Sequence, residues 1–337
     1  MKNVALIGLG MVSDTIADAI QRSDKVNLAA GFARSEQSRS DFMDRFPGVP
    51  TVESLDAVAD DPEIDFVVLA TPPSARAAPI ERLIAAGKPI LMEKPIERTL
   101  AAATEIVEAC EAAKIPLGVI FQHRTREPVA NLRARLPDLG QIHAVEVHIP
   151  WWRPQSYYDE PGRGTYAKDG GGVMLTQAIH IMDLMLSLTG PVVEVTAMAA
   201  TTGQHRMEAE DFVSAGLRYA NGAVGSLMAS TASFPGRGEM IVLHCTNGSA
   251  KLERGQLSID WQNGESETIG LATASGGGAD PMAFTSDWHR AIIDDFAAAL
   301  DAGRPPMITG REGLEVHRLI DALETSAKTG TRMDVGA

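Results

Sequence analysis

Cysteine is scarce: Cys110 and Cys245 are the only two in 337 residues. Two thiols cannot build a disulfide framework, and neither has a second Cys nearby at metal-ligand spacing. Positive charge is short as well, with 30 Lys+Arg against 44 Asp+Glu and a formal net charge of −14. A binder of nucleic acid or of an anionic membrane surface needs clustered cations, so this balance argues against both. Long apolar runs are missing. The longest, around residues 4–7 and 66–70, fall far short of the roughly 20 residues that span a bilayer. The start, MKNVALIGLGMV, has too short an apolar stretch for a secretory signal and runs into Gly-x-Gly rather than a cleavage site. A reducing, cytoplasmic location is therefore expected. What is present is an ordinary globular composition, 45% hydrophobic and 22% charged, over a length that suggests about two domains.

The N-terminal third alternates short β-rich runs at 3–7, 26–32, 64–70, 89–92 and 116–121 with helical patterns at 12–21, 36–46, 75–86 and 99–113. Such alternation implies right-handed crossovers and a parallel sheet. Beyond it, residues 142–149 alternate Val145, Val147 and Ile149 with Glu146 and His148, which suits a half-buried strand. A helix is predicted over 172–188, closed by Gly190-Pro191. Further strands are separated by Asn221-Gly222, Asn247-Gly248, Arg254-Gly255 and Asn263-Gly264. Asn-Gly between β-rich runs signals a hairpin whose two central residues both take positive φ. Gly276-Gly277-Gly278 predicts a flexible loop, and helices near 288–302 and 310–329 finish the chain. The expected architecture is an α/β domain over 1–121 with a parallel sheet. An α+β domain over 122–337 follows, with a large, mainly antiparallel sheet open on one face.

Gly8-Leu9-Gly10-Met11-Val12-Ser13 directly follows the first strand and opens the first helix. Gly8 permits the tight turn, and Gly10 lets backbone approach a pyrophosphate that the helix N-terminus favours. Ser13 stands in place of a third glycine and is small enough for close helix–strand packing. An NAD site calls for an acid at the end of the second strand. The residues there are Ala33, Arg34 and Ser35, with Arg39 a turn further on. No carboxylate repels a 2′-phosphate and Arg34 and Ser35 suit one, which favours NADP(H) over NAD(H).

Three more motifs complete a pattern. Thr71-Pro72-Pro73 follows the third buried strand, Glu93-Lys94-Pro95 follows the next, and Gly170-Gly171-Gly172 leads into His180-Ile181-Met182-Asp183. With the glycine fingerprint, these resemble the Gfo/Idh/MocA oxidoreductases, from Val4 to about Val335. The resemblance implies a Rossmann domain with Thr71, Pro72, Glu93 and Lys94 along the cofactor. It implies Lys94 between nicotinamide and substrate, Pro95 after a cis peptide, and His180 near the reacting hydroxyl. Hydride transfer from an alcohol carbon needs a base for the hydroxyl proton, and a His or a Lys of lowered pKa serves near neutral pH. Asp183, one helical turn on, suits either orienting His180 or the core edge. One position departs from the family: many members carry Asp where this chain has Thr176, four residues before the histidine. A threonine hydroxyl hydrogen-bonds a substrate oxygen but takes no proton.

Two of the four Trp and three of the four Tyr fall within residues 151–166, interleaved with Arg153 and Arg163 and broken by Pro154, Pro161 and Gly162. This reads as a loop that stacks on a sugar or ring, with a subunit interface as the alternative. Trp151, Arg153, Tyr157 and Arg163 are the candidate substrate contacts, with Thr176, His180 and, more weakly, Arg124. The other histidines show no metal-ligand spacing. The expected activity is an NAD(P)-dependent dehydrogenase or reductase for a sugar, cyclitol or related polyhydroxy compound. The alternatives are a cis-dihydrodiol dehydrogenase, a non-catalytic NAD(P) sensor and an NAD-dependent glycosidase. A sheet with one open face, like the family resemblance, implies a homodimer or homotetramer.

Overall fold

The computed structural model describes residues 1–271 and 285–336, so the predicted loop at Gly276–Gly278 lies outside the described residues. Two compact units form, one from residues 1–122 with 285–314 and the other from 123–284 with 315–337.

In the first unit six strands make one parallel sheet: β1 (Lys2–Ile7), β2 (Val26–Phe32), β3 (Thr51–Val52), β4 (Phe66–Leu69), β5 (Ile90–Glu93) and β6 (Leu117–Ile120). Their order is β3-β2-β1-β4-β5-β6, and every pairing is parallel. The connecting helices are α1 (Ser13–Gln21), α2 (Glu36–Arg45), α3 (Leu55–Ala59), α4 (Ala77–Ala85) and α5 (Leu100–Ala112). All four residues of β4, β5 and β6 are buried, as continuous apolar strands must be when both faces are covered. Strand order reverses between β1 and β4, and such a switch opens a crevice beyond the strands' C-terminal ends. The loops after β1, β4 and β5 leave the sheet at that end, and they carry the candidates Gly8, Gly10, Thr71 and Lys94.

The second unit holds α6 (Glu127–Leu139), β7 (Ile142–Pro150), α7 (Gln155–Tyr158), α8 (Ile179–Thr189), β8 (Val192–Ala200), β9 (Phe212–Tyr219), β10 (Val224–Ser230), β11 (Met240–Cys245), β12 (Gly248–Glu253), β13 (Gln256–Trp261) and β14 (Ser266–Ile269). After α9 (Asp287–Ala302) and α10 (Gly310–Thr329), β15 (Met333–Asp334) joins the same sheet. Its order is β14-β13-β12-β11-β7-β10-β9-β8-β15, antiparallel except for β7 beside β10. Val145, Val147 and Ile149 of β7 are buried on the face that α8 packs against, while α6 packs on β12 and β13.

Several details differ from the sequence reading. Only Arg254-Gly255 has positive φ at both residues, 52° and 75°. At Asn221-Gly222 and Asn263-Gly264 only the glycine does, because each Asn Oδ1 accepts the N–H two residues on, from Ala223 and Glu265, both at 3.0 Å. Helix α6 was not anticipated: Pro128 and Pro137 look like breakers, yet Pro128 sits in the first turn, where the missing N–H costs nothing. The 151–166 loop contains the short helix α7. Residues 285–314, expected in the second domain, pack in the first unit instead. There α9 lies on α1, and the Phe296 ring meets Phe66 at 5.1 Å. Among the described residues no helix is long and apolar enough to cross a membrane.

Candidate active site

In the first unit the turn after β1 is fixed by glycine. Gly8 has φ 101°, and a Cβ there would lie 2.7 Å from the backbone of Ala70 and Thr71. A Cβ on Gly10 would meet nothing within 4 Å, so the space above it is open. Helix α1 has Val12 at its N-cap and no side-chain cap. Its first N–H groups and positive dipole end thus face that space, as an anion site requires. Ser13 is fully buried and turns its Oγ back onto Gly10 O at 2.6 Å, which explains why it serves in place of glycine. Beside this turn the Thr71 Oγ1 is buried without a hydrogen-bond partner among the described residues. An open cradle and an orphaned hydroxyl fit a dinucleotide phosphate bridge.

At the end of β2, Ala33 is half-buried and Arg34 and Ser35 are exposed. The Ser35 Oγ caps α2 by accepting from Ser38 N at 3.3 Å, and Arg39 Nη1 donates to Ala33 O at 2.8 Å. These two side chains hold the loop itself, which leaves Arg34 as the cation turned to solvent. Pro72 and Met11 are exposed around the same crevice.

Lys94 is half-buried, and its bond to Pro95 is cis. Glu93 is buried, with His289 Nε2 of α9 at 3.4 Å. A residue the sequence reading missed ties this loop to its neighbour. Arg76 is 1% exposed; its Nε donates to Thr71 O at 3.0 Å and its Nη1 to the carbonyls of Pro95 and Ile96. Burial lowers its pKa to about 10, against the pull of the Glu93 and Glu97 carboxylates, so it is cationic at neutral pH. An arginine five residues past Thr71 gave no signal in the sequence, because arginine after a loop is ordinarily solvated.

In the second unit the predicted helix over 172–188 begins as a π-helical turn, Met174–Ala178, and becomes α only from Ile179. π-turns concentrate at functional sites. Glu210 holds its start: its carboxylate accepts from Gly172 N at 3.1 Å and Met174 N at 3.0 Å. Burial pushes the Glu210 pKa up while these amides hold it down. A Cβ on Gly172 would sit 1.8 Å from Glu210 O, so the glycine run is needed for this contact.

His180, one residue into α8, is 8% exposed. Its ring stacks on His123 with centroids 4.9 Å apart and planes at 17°. Asp183, left open between orienting His180 and the core edge, is held by Arg124 in a two-pronged pair at 2.8 and 2.6 Å. Arg124 therefore braces α8 here rather than presenting itself as an anchor for substrate. Thr176 is half-buried and its Oγ1 contacts Gly172 O at 2.6 Å and the Gln177 side chain.

The aromatic segment converges on Tyr157. The Arg163 guanidinium lies 5.1 Å and that of Arg153 5.9 Å from the ring centroid, and Gln177 Nε2 reaches the Tyr157 hydroxyl at 3.4 Å. Arg153, Tyr157 and Arg163 are thus gathered beside the turn that carries Thr176. Trp151 stands on the other side of Arg153, whose guanidinium lies 5.8 Å from its ring centroid; both residues are buried, at 3% and 2% exposure, and the backbone N–H of Trp151 continues the β7–β10 pairing to Ser230 O at 2.9 Å.

Residues 2–121 match a family described as "Oxidoreductase family, NAD-binding Rossmann fold", and residues 135–251 match the "GFO/IDH/MocA C-terminal domain". Among curated relatives, a D-apiose dehydrogenase of Rhizobium rhizogenes is 26% identical, covering 99% of this chain and 97% of its own. An inositol 2-dehydrogenase of Rhizobium meliloti is 28% identical with 94% of each covered. Among solved structures, the WlbA dehydrogenase of Bordetella pertussis in complex with NADH and UDP-GlcNAcA superposes with a TM-score of 0.86 at 27% identity. That match covers 100% of this chain and 98% of the other.

Proposed function

Since the chain belongs to the Gfo/Idh/MocA oxidoreductase family, we propose that it is an NAD(P)-dependent dehydrogenase or reductase for a secondary alcohol or ketone of a sugar, cyclitol or related polyhydroxy compound. The observation that carries this is the presence of both chemical halves. The first unit has the open Gly10 cradle and Lys94 on the loop after β5, and the second has His180 at the start of α8 with Tyr157 and two arginines nearby. Relatives named for apiose and inositol support a polyhydroxy substrate.

Gly8, Gly10, the α1 N-terminus and the Thr71 hydroxyl would hold the cofactor's phosphates and Arg34 the ribose edge. A bound nicotinamide supplies the hydride acceptor in oxidation and the donor in reduction. In oxidation the second unit's His180 takes the hydroxyl proton on its imidazole, and the first unit's Lys94 contributes an ammonium that can donate to a substrate oxygen. In reduction the proton returns from His180. Tyr157 offers a flat face to a ring, while Arg153 and Arg163 donate to its oxygens. Thr176 adds one hydrogen bond and no proton carrier.

The test is hydride transfer with NAD+ and NADP+ across a panel of sugars, cyclitols and dihydrodiols, then single-turnover rates for variants. Lys94→Ala and His180→Ala should lose about 10²–10⁴-fold in kcat. His180→Ala should leave cofactor affinity nearly unchanged, and Thr176→Ala should cost less than either. Full activity in His180→Ala would refute its assigned role. A panel in which nothing reduces the cofactor would favour a sensor or a glycosidase.

A further inference from the structure

His123 follows β6 and is not used in the reaction as described. Its ring is 2% exposed and lies flat against His180. The Arg126 Nη2 stands 2.8 Å from His123 Nε2. A guanidinium has N–H groups and no lone pair to offer, so in this contact Nε2 must accept. An imidazole that accepts at Nε2 is neutral and carries its proton on Nδ1. Arg126 is itself fixed, since its Nη1 meets Glu239 Oε1 at 2.7 Å with both side chains 5% exposed. Burial lowers the Arg126 pKa and Glu239 raises it.

We propose that His123 is a positioning residue: a neutral aromatic platform, locked in its Nδ1–H form by the Arg126–Glu239 pair, on which the His180 ring is oriented. The proposal rests on the reading of His180 as the proton-handling group. Charged groups of this unit near the stack include Arg126, which touches His123 and is paired with Glu239, and Asp183, one helical turn along α8 from His180 and paired with Arg124. Were His123 to titrate, a proton on it would oppose a second one on His180 at stacking distance. With His123 locked neutral, His180 alone cycles between neutral and charged, and its cationic form gains from the aromatic face beneath it.

The test begins with the unaltered full-length chain. Histidine is labelled with 15N, and ring nitrogens are followed by long-range 1H–15N correlation from about pH 5 to 8. The expected result is a His123 that keeps its proton on Nδ1 throughout. A His123 that titrates in that range, or carries the proton on Nε2, overturns the lock. Variants then test the platform. His123→Ala should lower kcat about tenfold through a misplaced His180 ring, with cofactor affinity retained. His123→Phe, which keeps a flat ring and cannot titrate, should recover most of that loss. Equal losses in the two variants overturn the platform role. Should no substrate be turned over, the functional reading fails by itself, while the spectra still decide the protonation state of His123.

Discussion

Arg76 shows how much one buried cation does in the first unit. It crosses from the turn before α4 to the carbonyls on either side of Ile96, so the loop after β4 and the loop after β5 share one donor. Removing it leaves the buried carbonyls of Thr71, Pro95 and Ile96 without this donor and takes a buried positive charge away from the Glu93 and Glu97 carboxylates. Arg76→Ala should therefore destabilise the protein by about 3–5 kcal/mol, read from urea unfolding. Arg76→Lys should recover part of this, because an ammonium keeps the charge without the planar fork. Arg34 acts differently, since it is exposed and its side chain braces nothing among the described residues. If it takes a 2′-phosphate, Arg34→Ala should weaken NADPH about tenfold, or 1.4 kcal/mol, and leave NADH almost unaffected. Fluorescence titration of both reduced cofactors checks this, and a protein that already binds NADH tenfold more tightly would remove the case for NADP(H).

At the scale of the element, the π-helical turn and α10 are joined by acid chemistry. Glu324 of α10 has its pKa raised to about 7, first by burial and then by the Glu210 and Asp321 carboxylates, with Lys328 opposing. In the unfolded chain the group returns to about 4.5. Between those values the folded state binds the proton more tightly, so stability must fall as pH rises from about 4.5 to 7 and level off above. Denaturation midpoints measured across this window should show that slope in the native chain and a smaller one in Glu324→Gln. None of this was legible in the sequence, where Glu210 and Glu324 are 114 residues apart. What was legible had a local cause. The bounds of β2 and α10 were read to the residue, because β-branched and apolar runs ended by a loop, or helical periodicity ended by Gly330, need no tertiary information. The glycine motif likewise disclosed the tight turn at Gly8, whose φ is 101°. The platform of His123, the clamp of Arg76, the π-turn and the Arg124–Asp183 pair depend on which distant segments meet, and no periodicity records that.

On the molecule as a whole, the second sheet presents a row that runs across five strands. Cross-strand register aligns Met198, Ser214, Met228, His148 and Met240, with Met198 65% exposed. Methionine adapts its shape to a partner surface, and a broad sheet face of this kind suits burial against a second copy. We expect a homodimer or homotetramer built on it. Light scattering at micromolar concentration should give a multiple of 35.9 kDa, and Met228→Asp should shift the mass toward the monomer. A monomer mass for the unaltered chain would end the idea.

The two units also alternate along the chain: residues 1–122 belong to the first, 123–284 to the second, 285–314 to the first again and 315–337 to the second. This has a consequence for biosynthesis. While the ribosome is still adding residues before 285, β4 lacks the Phe296 ring that packs on Phe66, and β8 lacks its edge partner β15. Neither half can close as it emerges, the usual course for a multidomain chain. Both must wait for residues 285–334, so completion of the two units is timed by the emergence of this one segment rather than by the order of the domains.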